Sequence, residues 1–160
     1  MRTLIVYSTK YGTTEKCARI LSEKLGGNTT LHNLKVSGTP DTNEFDTIII
    51  GGSIYVGQMI KEVTDFCSNN TETLKNKKLG LFICCMRDKE LAEQQLSTLY
   101  PKELLDKAMV KDYFGGEFIF SKMSFVDKLI AKVVAKAKED VSTISEEKIS
   151  SFANKIKAFA

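Results

Sequence analysis

Short apolar runs alternate along this chain with stretches of helical period, and that alternation narrows the available folds more than any other property. The runs are Leu4 to Tyr7, Thr47 to Ile50, Leu79 to Cys85 and Phe118 to Phe120. Each is too short for a helix and reads as a buried strand. Thr29 to Val36 alternates more weakly and predicts a fifth strand near a sheet edge. Thr14 to Leu25 places Cys17, Ala18, Leu21 and Leu25 on one helical face before Gly26 and Gly27 stop it. Ile60 to Cys67 and Glu90 to Leu105 share that period, the second broken at Pro101. A last helix is predicted over Glu146 to Phe159, with Ile149, Phe152, Ile156 and Phe159 inward. Such alternation implies an α/β fold, a parallel sheet with helices on both faces. At 160 residues and 42% hydrophobic content, residues 1–160 fit one domain.

Charge and cysteine content exclude several function classes. The net charge of +3 comes from 23 basic and 20 acidic residues spread along the chain, a pattern that does not suggest nucleic-acid binding. Cys17, Cys67, Cys84 and Cys85 have neither CxxC nor metal-ligand spacing, and His32 is the only histidine. A reduced, cytoplasmic protein without structural metal is expected. No segment approaches the roughly 20 apolar residues of a membrane span.

The chemistry-bearing signal follows the first strand. Ser8, Thr9, Lys10, Tyr11, Gly12, Thr13 and Thr14 lead directly into the first helix. Unsatisfied N–H groups at a helix start, the helix dipole and hydroxyl side chains together make an anion site. Gly12 allows the backbone to come close to a ligand. The loop lacks the Gly-Lys-Ser/Thr ending of a triphosphate site and the GxGxxG of a dinucleotide site, so a monophosphate fits better. The plainer alternative is that Thr13 or Thr14 only caps the helix.

The segment YSTKYGTT, Tyr7 to Thr14, resembles the FMN-phosphate loop of the flavodoxin family, with Thr9, Gly12 and Thr14 matching and Tyr11 in place of the usual threonine. The resemblance implies a flavodoxin-like, doubly wound, five-stranded parallel sheet of order 2-1-3-4-5, with FMN at the switch point. Two further loops would then face the same crevice. Ser53, Ile54, Tyr55, Val56 and Gly57 form one, in which Tyr55 can stack on the flavin ring and the Val56–Gly57 peptide can reorient toward flavin N5. The alternative there is a turn with an incidental surface tyrosine. Cys85, Met86, Arg87 and Asp88 form the other. Its backbone would meet the pyrimidine edge, and Arg87 would offset charge on reduced flavin. Adjacent Cys84 and Cys85 are expected to be small core residues rather than catalytic thiols.

Four stretches, MRTLIVYSTKYGTT, IIIGGSIYVGQ, GLFICC and GGEFIFSKMSFVDKLIAKVVAK, resemble the flavodoxin branch that contains the bacterial FMN-dependent (menaquinone-dependent) protoporphyrinogen oxidases. That resemblance implies an FMN-dependent oxidoreductase of heme biosynthesis in which flavin carries the chemistry and no side chain is catalytic. Its redox partner would be a quinone, a porphyrinogen or an electron-transfer protein. Arg87 to Lys111 departs from the branch, being shorter than its long basic insertion and carrying both charge signs.

In the last stretch Phe125, Val126, Leu129, Ile130, Val133 and Val134 form an apolar face beside Lys128, Lys132 and Lys136. The expected placement is against the sheet. Peripheral contact with a membrane through residues 122–138 is the alternative. Two other functions fit the same residues: a flavodoxin-type electron carrier between proteins, and a flavin-less binding module of the same fold.

Overall fold

A computed structural model describes residues 1–159. Strand β1 (Thr3–Ser8) leads to helix α1 (Thr13–Leu25), strand β2 (Thr29–Asn33) and a single helical turn α2 (Leu34–Ser37). Strand β3 (Thr47–Tyr55) turns back through β4 (Gln58–Met59) into α3 (Lys61–Leu74) and β5 (Lys78–Cys84). Then come α4 (Lys89–Thr98), α5 (Lys102–Lys107), β6 (Val110–Tyr113), β7 (Glu117–Phe118), α6 (Phe125–Val133), β8 (Val141–Ser142) and α7 (Glu146–Ala158).

The parallel strands run in the order β2-β1-β3-β5-β6. Counting only those five gives the expected 2-1-3-4-5 order, a flavodoxin-like fold. Strand residues alternate between the two sides of the sheet, and each side has its own core. Leu4, Val6, Ile48, Ile50, Leu81 and Ile83 pack with Val63, Phe66, Leu74 and Leu104 from α3 and α5. Ile5, Ile49 and Phe82 pack on the opposite side with Cys17, Ala18, Leu21, Phe152 and Ile156 from α1 and α7. Phe82 stacks on Phe114 at 4.6 Å between ring centroids, and Phe152 meets both rings edge-on. Tyr100 is buried, and its hydroxyl is within 3.1 Å of the Ile50 carbonyl and 2.7 Å of the Phe82 carbonyl.

Several expected elements shift. The fifth sheet strand is Val110–Tyr113, not 118–120. Glu117–Phe118 instead pairs antiparallel with Val141–Ser142 in a separate two-stranded sheet, and Phe120 opens a 3-10 turn. Strand β2 ends at Asn33, because the Asn33 side chain accepts the Lys35 N–H and starts α2. Helix α7 buries Ile149, Phe152 and Ile156 as expected, but Phe159 lies past its end and is exposed. Helix α6 does not lie against the sheet. Phe125, Val126, Leu129 and Val133 are 53–82% exposed, and only Asp127 and Ala131 of this helix are buried.

Candidate functional site

The carboxyl ends of β1, β3 and β5 open into one pocket of about 340 Å³, within the size range of small-ligand sites. The first loop contributes Thr9, Lys10, Tyr11 and Thr13, the second Ser53, Ile54, Tyr55, Val56 and Gly57, and the third Cys84, Cys85, Met86 and Arg87. Short parallel strands bring these loops together because each ends at the same sheet edge. Of the expected site residues, Gly12 and Thr14 stand behind the lining, and Asp88 lies outside it. Asp88 is committed elsewhere: its carboxylate accepts the Leu91 N–H at 3.0 Å and caps α4.

The first loop is closed by Gly12, whose N–H donates to Thr9 Oγ1 at 2.9 Å. Gly12 holds φ 92° and is the N-cap of α1, with no side chain capping the helix. Neither Thr13 nor Thr14 is therefore the cap; both lie in the first turn. The start of α1 keeps its uncapped N–H groups and its positive dipole end. The hydroxyls of Ser8, Thr14 and Ser53 are buried without hydrogen-bond partners. An unmade hydrogen bond of this kind costs about 1–3 kcal/mol. Uncapped amides and orphaned hydroxyls at the ends of β1 and β3 are a donor set for a phosphorylated, hydrogen-bonding ligand.

In the second loop β3 and β4 pair Tyr55 with Gln58 across a two-residue turn, Val56 and Gly57. Both turn residues have positive φ, 47° and 73°. Val56 is strained there, since a β-branched side chain disfavours this region. At Gly52 nearby, a Cβ would come within 2.3 Å of the Met59 sulfur, so that side chain would have to move to admit one.

Residues from the C-terminal third complete the lining: Gly116, Glu117, Phe118 and Met123, then Asp127, Ile130, Ala131, Val134 and Ala135 on and just after α6. Asp127 is only 3% exposed. It accepts Lys10 Nζ at 2.8 Å and the hydroxyls of Tyr11 and Tyr55. Burial alone would raise its pKa. The hydrogen bonds from Lys10, Tyr11 and Tyr55, with the charge of Lys10, overcome this and hold the carboxyl well below the usual range. Tyr11 thus turns away from the loop it interrupts. Lys10 Nζ lies 3.5 Å from the centroid of the Tyr55 ring, so one face of that ring is covered by an ammonium. Sequence periodicity placed Asp127 on α6, but nothing in the chain marked it as facing Lys10 and Tyr11.

The cysteines are buried and unpaired. Burial pushes the Cys67 thiol up to about 12. Cys84 is raised well above its ordinary value by the neighbouring Cys17 thiol and by burial, and Cys85 is raised mainly by burial. Titration of the folded protein with a chromogenic disulfide is expected to label the four thiols at least about 100-fold more slowly than in denaturant. Rapid labelling of Cys84 or Cys85 in the folded state would contradict the assignment of both to the core. Among the described residues, no three His, Cys, Asp or Glu side chains are placed to share a metal ion.

A doubly wound sheet whose first three central loops converge on one pocket is the flavodoxin-like arrangement. Residues 4–145 match the flavodoxin domain family, and the chain belongs to that family. Its fold is similar to that of oxidised Flavodoxin 1 from Bacillus cereus, at 13% identity and a TM-score of 0.65, over 100% of this chain and 99% of the other. Flavodoxin from Fusobacterium nucleatum bound to flavin mononucleotide aligns at 16% identity and a TM-score of 0.57, over 99% of each chain. Rubredoxin oxygen:oxidoreductase from Desulfovibrio gigas aligns at 14% identity and a TM-score of 0.57, over 99% of this chain and 35% of that one. None of the curated proteins compared with the chain matches it.

Proposed function

We propose that residues 1–160 form one FMN-binding redox domain, and that the protein is an FMN-dependent oxidoreductase of the protoporphyrinogen-oxidase-like branch. The observation that carries the cofactor assignment is the uncapped start of α1 beside the unpartnered Ser8, Thr14 and Ser53 hydroxyls. When bound, FMN supplies one- and two-electron transfer. The residues around it bind and orient. Amides and hydroxyls of the first loop, with Thr9, Gly12, Thr13 and Thr14, would hold the phosphate. Residues 53–57 and 85–87 would border the ring, with Arg87 offsetting negative charge on the reduced form. Lys10 and Tyr11 act chiefly through Asp127.

The additional lining from residues 116–135 favours an oxidoreductase acting on a small molecule over a carrier between proteins, because a carrier needs an open flavin edge for its partner. The family assignment fits the carrier equally well. Purified protein supplied with FMN is expected to show bands near roughly 370 and 450 nm. Anaerobic mixing with protoporphyrinogen is then expected to bleach the longer-wavelength band. Holoprotein that stays oxidised with porphyrinogen but is reduced by, and passes electrons to, a redox protein would favour the carrier. Protein that takes up no FMN would remove both readings.

The exposed Phe125, Val126, Leu129 and Val133 beside Lys128, Lys132 and Lys136 support peripheral contact with an anionic membrane through residues 122–138. No helix among the described residues is long and apolar enough to cross a membrane. Co-sedimentation with phosphatidylglycerol vesicles but not with phosphatidylcholine vesicles tests that contact.

A further inference from the structure

Helix α6 is held to the molecule differently from the others. No residue between 120 and 140 belongs to either buried core cluster. Its inward side chains Ile130 and Ala131 border the pocket, and its outward apolar residues face solvent. What fastens it is polar and sits at its first turn. Ser124 caps the helix through the Asp127 N–H at 3.2 Å, and the Ser124 N–H donates to the Tyr11 hydroxyl at 3.3 Å. Asp127 then gathers Lys10 and Tyr11 from the first loop and Tyr55 from the second. Those loops lie 116 and 72 residues away in the chain, measured from Tyr11 and Tyr55.

We propose that Asp127 is a positioning residue that latches α6 across the flavin pocket as a closed roof, so that release of this latch governs exchange of the cofactor. The inference rests on the FMN reading for its cofactor and on geometry alone for the latch. A carboxylate receiving an ammonium and two phenol hydroxyls in a nearly solvent-free position makes charge-assisted bonds, the stronger kind. Without them α6 has little buried apolar area to keep it in place, and a helix so held opens locally at low cost. The same carboxylate ties the two loops to each other, so opening the roof also frees both loops.

The test uses the full chain in two arms. In the first, hydrogen exchange is compared between the wild type and Asp127→Asn without added flavin. Amides of Phe125–Val133 are expected to exchange at least about 10-fold faster in the variant, with α1 and α7 unchanged. In the second, release of FMN on dilution is followed by recovery of its fluorescence, and uptake by its quenching. Both rates are expected to rise about 10-fold or more in Asp127→Asn, and Asp127→Glu is expected to recover part of the loss. Tyr11→Phe, which removes one donor and keeps the ring, gives a smaller change of the same sign should Asp127→Asn fold poorly. Exchange in α6 within twofold of wild type overturns the latch. A loosened α6 with unchanged flavin release overturns its control of exchange. Wild-type protein that takes up no flavin defeats the FMN reading, and with it control of cofactor exchange, while the first arm still decides the latch.

Discussion

Gly12→Val is expected to weaken FMN binding by about 100-fold, with only a modest loss of folding stability. Gly12 holds φ 92° and ψ −6°, and its N–H and C=O both close the turn, the first to Thr9 Oγ1 and the second from the Lys16 N–H at 2.9 Å. A valine in that region costs about 1–3 kcal/mol of backbone strain. The chain relieves it by rotating φ to negative values, which re-aims the peptides at the start of α1. Losing one or two charge-assisted hydrogen bonds to a phosphate, at about 1.5–3 kcal/mol each, gives the stated factor. Steric conflict inside the protein is not the cause, since a Cβ at Gly12 meets nothing within 4 Å. Asparagine tolerates left-handed backbone, so Gly12→Asn is expected to bind nearly as well as wild type. Fluorescence titration with FMN, paired with a thermal melt, separates affinity from stability. A dissociation constant for Gly12→Val within threefold of wild type would show that the loop is not the phosphate site.

Gly51→Ala is expected to be the more damaging change to the fold, by at least about 3 kcal/mol. A Cβ at Gly51 would lie 2.0 Å from Phe82 Cζ and within 2.5 Å of two further ring atoms. Phe82 has no room to yield, being fully buried, stacked on Phe114 and crossed by Phe152. Strand β3 cannot shift either, because it is hydrogen-bonded to β1 on one side and β5 on the other. For a domain of this size the melting temperature should fall by roughly 6–12 °C. Adding Phe82→Leu removes the colliding ring atoms, so the double variant should be more stable than the sum of the two single changes predicts. A melt of Gly51→Ala within 2–3 °C of wild type, on the order of 1 kcal/mol, would mean that the core around Phe82 is looser than its geometry indicates.

Most of the sheet was legible because its strands are buried on both faces. Leu4 to Tyr7, Thr47 to Ile50 and Leu79 to Cys85 are continuous apolar runs, and all three form neighbouring strands at the centre of the order. The missed strand is the edge strand Val110–Tyr113, whose Lys111 and Asp112 hide it from a search for apolar runs. Its polar residues are satisfied by distant partners. Asp112 accepts Lys148 Nζ at 2.8 Å, and that ammonium also lies 3.5 Å from the centroid of the Tyr113 ring. Of the apolar run Phe118 to Phe120, Phe118 pairs with Val141 in the small sheet and lines the pocket instead of entering the main sheet.

The phosphate-loop expectation and the roof show the same division. Strand, hydroxyl-rich turn, glycine and amphipathic helix are neighbours in the chain, so local geometry determines them, and a glycine at position 12 permits the positive φ found there. Periodicity likewise shows that α6 is amphipathic, but a hydrophobic pattern does not say against what a helix packs. That was decided by Asp127 meeting Lys10, Tyr11 and Tyr55, groups brought together only when β1, β3 and the C-terminal third are in place. Strand order and family were therefore readable from a known sequence pattern, and the strand–turn–helix unit from neighbouring residues, because hydrogen bonding and burial within such a unit are local. The roof, its latch and the outward apolar face of α6 are tertiary outcomes, because a buried carboxylate is stable only where partners from separate segments converge on it.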